Sequence, residues 1–230
     1  AGVINYANKD SYDGNWIHDI RSGQGKLKRA NGDCYSGVWA RDAMNGRGCM
    51  QYANGDSYDG VFENNQRVDG KGQMNYANGD KYQGQFVVEE KCMLGTMDFA
   101  DGSQYYGQWV SDQRIGQGVF FYAGGEKFEG QWDTDKRNGQ GVSVLWNPMT
   151  QDWTGDQYKG EWKNGLKDGQ GIYSATNKDV YNGAWGRGVR NGKGVLTYGN
   201  GDKFEGRWEN DRRVDGRGVL RFSNLDFYEG

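Results

Sequence analysis

Apolar and small residues alternate along this chain in short bursts. A burst opens with Tyr or Phe, puts Gly two residues on and Trp or Phe four residues on, as in Tyr105-Tyr106-Gly107-Gln108-Trp109. On an extended backbone these three positions share one face, and the residues between them face the other way. Further on the alternation resumes as Gly116-Gln117-Gly118-Val119-Phe120-Phe121-Tyr122. Each burst therefore predicts two short strands with one apolar face. A helical reading fails, because glycine at this density costs a helix about 1 kcal/mol per residue. The phrase starts nine times, at Tyr12, Tyr35, Tyr58, Tyr82, Tyr105, Phe128, Tyr158, Tyr181 and Phe204. The period is mostly 23 residues, so the chain is a repeat array.

Between copies stand turn-forming pairs: Asn31-Gly32, Asn54-Gly55, Asn78-Gly79, Asp101-Gly102, Gly124-Gly125 and Asn200-Gly201. They suit two-residue type I′ turns, in which both central residues take positive φ. Within a copy the strands are expected to be joined by a longer loop, such as Val110 to Ile115. Hairpin follows hairpin, giving an antiparallel ladder. The phrase glycine is expected to leave room for a neighbouring ring to lie flat. One copy cannot bury its face alone, so copies must stack. Residues 1–11 read as the second half of an earlier copy, and Tyr228 opens a tenth that stops at Gly230. A chain that begins and ends in mid-phrase is expected to be a piece of a longer array.

The repeated Tyr-x-Gly-x-Trp…Gly-x-Gly unit resembles the MORN (membrane occupation and recognition nexus) repeat family over nearly the whole chain. The resemblance implies one continuous array over residues 1–230, an all-β, elongated, solenoid-like single-sheet ladder of consecutive hairpins. It also implies scaffolding roles in axonemal spokes and cortical cytoskeleton, or roles beside membranes. Two departures stand out. The family's loop Asn-Gly-Lys-Arg-His-Gly is altered, with no His beside the glycines, and Met93 replaces the first glycine of Gly-x-Gly in the fourth copy.

Composition narrows the function classes. Forty glycines and one proline suggest low complexity, yet 14% of residues are aromatic, which a disordered chain lacks. A net charge of −3 argues against nucleic acid. The longest clean apolar run, Val119 to Ala123, is too short to span a bilayer, and no targeting segment is visible. Cys34, Cys49 and Cys92 share no repeat position, which argues against a disulfide framework and favours a reducing compartment, and they lack zinc spacing. The one histidine, His18, falls in a loop, and no nucleophile, phosphate-loop or dinucleotide motif appears. The expectation is a protein that is not an enzyme and takes no cofactor and no metal.

Three features are candidate binding surfaces. The first is a cation nine residues after each phrase start: Arg21, Arg67, Lys91, Arg114, Arg137, Lys167, Arg190 and Arg213, broken only by Met44. At one per repeat, roughly 10 Å apart, this row could hold acidic tails, anionic filaments or lipid headgroups. Against that, Asp19, Asp42, Glu89, Asp112, Asp135 and Asp211 precede it by two residues and could cap the turn or pair with the cation. The second is an insertion in the sixth copy, about Trp146 to Gln157, read as an irregular loop. Its Trp146 and Trp153 either anchor a partner, or fold back on the sheet or extend the hairpin. The third is aromatic surface at Tyr52, Tyr76, Phe99, Tyr122, Tyr198 and Phe222, either a groove or covered along the stack.

The sequence thus points to a scaffold that mediates protein–protein interaction in a cytoskeletal, ciliary or axonemal assembly, cytoplasmic and cytoskeleton- or cilium-associated. Its partners would be proteins, with a homo-oligomer also open. The best partner-binding candidates are Trp146, Trp153, Arg114, Arg137, Arg190 and Arg213. Two alternatives stay open: a peripheral membrane or phosphoinositide-binding module on anionic lipid, and a targeting arm of a longer enzyme.

Overall fold

The structure is a computed structural model. It describes every residue except 69, 88, 148, 150, 151, 225 and 230; for 146, 147, 152–154 and 215–217 it describes the backbone only. The described residues are strands and turns, and among them there is no helix long and apolar enough to cross a membrane. The chain divides into two compact units, Ala1–Gln113 and Arg114–Gly230.

In the first unit, each copy contributes a seven-residue strand and a partner strand, such as Cys34–Ala40 and Ala43–Gln51. Successive strands pair antiparallel, as Gly25↔Gly37 and Gly37↔Gly48 show; in the third copy Ser57–Glu63 pairs with both Gln66–Arg67 and Gly70–Asn75. The second unit, from the strand Gln113–Phe121 onward, repeats the scheme, with Gly183↔Gly194 and Gly194↔Gly206 in the same register. Inside each unit the order of strands is the order of the sequence, so hairpins simply follow one another.

The phrase explains this packing atom by atom. The ring that opens each copy is buried in all nine copies. It lies across the phrase glycine and the second glycine of Gly-x-Gly. A Cβ placed on Gly37 or Gly48 would come within 2.5 Å of the Tyr35 side chain. The Tyr35 hydroxyl donates to Val38 O at 3.0 Å. Burial pushes this hydroxyl, and that of Tyr181, up to about 12, so both remain neutral donors.

The ring four residues on joins neighbouring copies. Trp39 meets Tyr35 of its own copy and Tyr12 of the preceding one edge-to-face, and its indole N–H donates to Gly25 O at 3.1 Å. In the first unit this chain of rings runs from Trp16 to Tyr105 at 5.0–5.5 Å and 80–89°. In the second it runs from Trp132 to Phe204 at 5.1–5.5 Å and 78–87°. Each such contact adds about 0.5–1.5 kcal/mol beyond the area it buries.

The turns are the reverse of the sequence expectation. The two-residue type I′ turns lie within copies, at pairs such as Arg41–Asp42 (φ 52° and 66°) and Ser111–Asp112 (φ 47° and 64°). Between copies only one residue of the pair takes positive φ: in Asn54-Gly55 it is Gly55, at 94°. Tyr52 O accepts from Gly55 N at 3.0 Å and Tyr52 N donates to Asp56 O at 2.9 Å, a type I turn closed by a glycine bulge. Asn54 holds this loop through its side-chain oxygen, which accepts from Asp56 N at 3.0 Å.

Candidate functional site

The cation column stands at the tight-turn edge of each unit, on the ring-bearing face. Its neighbours follow from the register. Trp39 pairs across the strands with Met44 and Trp16 with Arg21, so a cation shares its face with the phrase rings. It reaches forward to the next copy. Arg21 lies 4.4 Å over the Trp39 ring, and its Nε and backbone N–H both donate to Asp42 Oδ1, at 3.1 and 2.8 Å. Asp42 returns its own N–H to Arg21 O at 3.2 Å. The turn acid therefore clasps the cation of the preceding copy, not the one two residues after it. The clasp holds the Asp42 carboxyl below the ordinary range, first through the Arg21 backbone N–H.

The same clasp joins Lys91 to Asp112 at 2.9 Å, Arg114 to Asp135 at 2.7 Å and Arg190 to Asp211 at 3.0 Å, and Arg67 makes a longer ion pair with Glu89, at 3.7 Å. Arg114 lies 4.7 Å over Trp132 and Arg190 4.2 Å over Trp208. Arg137 takes another course. Its next copy offers Gly165 instead of an acid, and the guanidinium forks onto Glu126 at 2.7 and 3.1 Å, with the Tyr122 hydroxyl at 3.0 Å. Among the described residues, Lys167 and Arg213 make no ion pair. Arg213 is exposed and lies 4.4 Å over Phe204. Cations seated on rings and tied to carboxylates are held as parts of the stack.

The insertion extends the hairpin, the second of the alternatives open from the sequence, and is not an irregular loop in its described residues. The strands Lys136–Asn147 and Asp152–Lys163 run to 12 residues each, with Trp146 opposite Trp153 in the backbone register. The Trp146 and Trp153 side chains lie outside the described residues. Period-two alternation on both sides of the insertion was the signal for this extension.

The third candidate, aromatic surface along the Gly-x-Gly strands, is largely covered. The Arg137 guanidinium lies over Tyr122 at 4.7 Å, and Lys91 Nζ donates to the Tyr76 hydroxyl at 3.4 Å. Phe222 remains 39% exposed, and other uncovered apolar groups, such as Leu94 and Tyr106, lie on the outer face, opposite the rings. In the first unit Leu94 and Tyr106, 51% and 53% exposed, border a groove of about 540 Å³. Its floor is Gly72, Gly84 and Gly95, and Gln73, Gln83, Gln85 and Arg47 line it. The second unit has a comparable groove of about 850 Å³ over Gly183, Gly194 and Gly206. Outer-face positions were the discarded half of the alternation, which is why sequence reasoning passed over them.

The MORN repeat family model matches residues 12–34, 35–57, 58–81, 82–104, 105–127, 128–144, 158–180, 181–203 and 204–227. The chain belongs to the MORN repeat family. Its matched repeats open at the same nine residues as the phrase. No curated protein matches the sequence. Among solved structures, the chain is similar to the TCP10 domain of CPAP from Danio rerio, at 10% identity and TM-score 0.49 over 100% of both chains. The same domain in complex with a peptide of Danio rerio STIL gives 10% and 0.48, over 94% and 97% of the two chains. The SAS-4 TCP domain with a proline-rich motif of Ana2 from Drosophila melanogaster gives 12% and 0.35, over 88% and 86%.

Proposed function

We propose that this MORN array is a non-enzymatic scaffold that holds protein partners in a cytoskeletal or ciliary assembly. One observation carries the reading: both units close their ring-bearing face on itself and leave glycine-floored grooves open on the outer face. Leu94 and Tyr106 supply apolar contact there and the glutamines supply hydrogen bonds, a mixture suited to an extended peptide segment. The clasped cation column counts against a free basic stripe for lipid, since most of its charge is matched internally.

The test is retention in detergent-extracted ciliated cells. The tagged chain stays with the extracted cytoskeleton, and the Leu94→Asp, Tyr106→Asp double variant leaves with the soluble fraction at unchanged thermal stability. Release of the unmodified chain by detergent, together with salt-sensitive binding to anionic liposomes, favours the membrane reading and overturns this one.

A further inference from the structure

Five copies show what belongs beside the cation position. Its backbone N–H donates to a side-chain oxygen of the next turn: Arg21 to Asp42 at 2.8 Å, Met44 to Asn65 at 2.9 Å, Lys91 to Asp112 at 2.9 Å, Arg114 to Asp135 at 3.1 Å and Arg190 to Asp211 at 2.9 Å. Its carbonyl accepts the N–H of that same turn residue. At Lys167 the second half of the clasp survives, with Gly188 N donating to Lys167 O at 2.8 Å. The first half is missing, because Gly188 has no side chain. The vacated space is open: a Cβ on Gly188 would meet only Leu166 Cδ2, at 3.9 Å.

The Lys167 ammonium remains in place. It stands 5.1, 4.7 and 5.0 Å from the ring centres of Tyr158, Tyr173 and Trp185. Lys91 is the direct comparison, since its Nζ and backbone N–H both contact Asp112 Oδ1 at 2.9 Å. Burial pulls the Lys91 ammonium down, but Asp112 lifts it above an ordinary lysine; at Lys167 burial prevails and the ammonium is held below. The acids whose charge reaches Lys167 are otherwise engaged: Asp211 is paired with Arg190 at 3.0 Å and Glu126 with Arg137 at 2.7 Å. Asp156 accepts from the Tyr173 hydroxyl and from Thr176 N, and Asp168 accepts from Arg187 N at 3.3 Å.

We propose that Lys167 Nζ and the Lys167 backbone N–H, framed by Tyr158, Tyr173 and Trp185, form a seat for a carboxylate side chain from an acidic segment of a partner protein. The fit is the one the sister copies already display, a single carboxylate oxygen bridging a backbone N–H and a side-chain cation. Arg187, exposed on the turn that leads to Gly188, adds positive charge for further acids along the segment. The seat exists or fails independently of the scaffold reading, because it concerns one pocket and not the outer-face grooves.

The experiment is amide NMR of the full chain titrated with hexaglutamate and, separately, with inorganic phosphate. Hexaglutamate should produce saturable shifts at the Lys167 N–H and the Trp185 indole N–H. Gly188→Asp fills the seat with the protein's own carboxylate and should abolish those shifts. Aspartate suits this backbone, as Asp42, Asp112 and Asp211 hold the equivalent position at φ 64–66°. Lys167→Gln should weaken binding by about tenfold or more; if it fails to fold, Gly188→Asp decides. Wild-type signals that do not move with hexaglutamate, or that move equally in Gly188→Asp, overturn the proposal. Shifts with phosphate alone overturn it in favour of a phosphate-bearing ligand.

Discussion

The two units pack their rings identically but close their turns differently. In the first, the turns Arg41–Asp42, Asn64–Asn65 and Ser111–Asp112 each reach back to the preceding copy with a side-chain oxygen. In the second, Thr134–Asp135 and Asn210–Asp211 do so, while Asn164–Gly165 and Arg187–Gly188 do not. The second turn position serves two needs that conflict. Positive φ favours glycine there, whereas the clasp requires a side chain. Where glycine wins, the stranded cation must find another partner. Arg137 finds Glu126, which sits where other loops carry an Asp that accepts a backbone N–H from the next loop, as Asp33 does from Ala53 at 2.9 Å. Lys167 finds none among the described residues. Loss of one clasp is thus absorbed in one copy and left as an open seat in the next.

The comparison holds only if the ring-bearing core is equivalent in both units, and the largest predicted effect tests that. Gly48→Ala in the first unit and Gly194→Ala in the second each drive a methyl to within 2.5 Å of a buried tyrosine ring. Neither ring can withdraw, because it is locked between its neighbours. Each substitution should cost about 3 kcal/mol, read by chemical denaturation with amide exchange on the flanking strands. A loss confined to one unit would show that the cores differ, and the contrast between turns would no longer stand alone.

Asp112→Gly should turn a first-unit clasp into a copy of the Lys167 seat. Lys91 then loses both bonds to the carboxylate while its side chain stays 12% exposed. The cost should be about 1–2 kcal/mol, below the 3–5 kcal/mol of a fully buried pair because Asp112 itself is half exposed. The acid profile supplies an independent check. Burial pushes the Asp112 carboxyl up, but Lys91 more than offsets it and holds the carboxyl below its ordinary value. A depressed folded pKa gives stability that is complete above the unfolded value, near pH 4, and lost as pH falls through the folded one. Asp112→Gly should therefore flatten the loss of stability below about pH 4. An unchanged acid profile would mean that the clasp contributes nothing.

What could be read from the sequence divides along the same line. The ring seats were legible because Tyr35, Gly37 and Trp39 fix a face by local alternation alone. The turns were misassigned because Asn54-Gly55 has the dipeptide of a type I′ turn, whereas Ser111-Asp112 does not. Holding non-glycine residues at positive φ costs roughly 1–2 kcal/mol each, and the signal that offsets it lies 21 residues away, in the Lys91–Asp112 clasp. Similarly, the cation column was visible as a period. That Arg21 covers Trp39 depends on a strand register that no local window contains.

The smallest effect concerns the fourth copy, where Met93 holds the bulge position at φ 53° while Gly23, Gly139 and Gly169 take positive φ at the same place. The bulge recurs along the array: among the described pairings the register slips between the phrase glycine and the ring that follows it in six copies, as between Gly14 and Trp16, and in the fourth copy between Cys92 and Gly95. Met93 is 61% exposed, so its side chain contributes little burial. Met93→Gly should relieve left-handed strain of about 1–2 kcal/mol and return part of it through the greater freedom of glycine in the unfolded chain. The net should be a gain of about 0.5–1 kcal/mol, seen as a higher denaturation midpoint at an unchanged slope. A loss of stability would mean that Met93 makes a contact worth more than the strain it bears, and the first unit would then depart from the second in its bulges as well as in its turns.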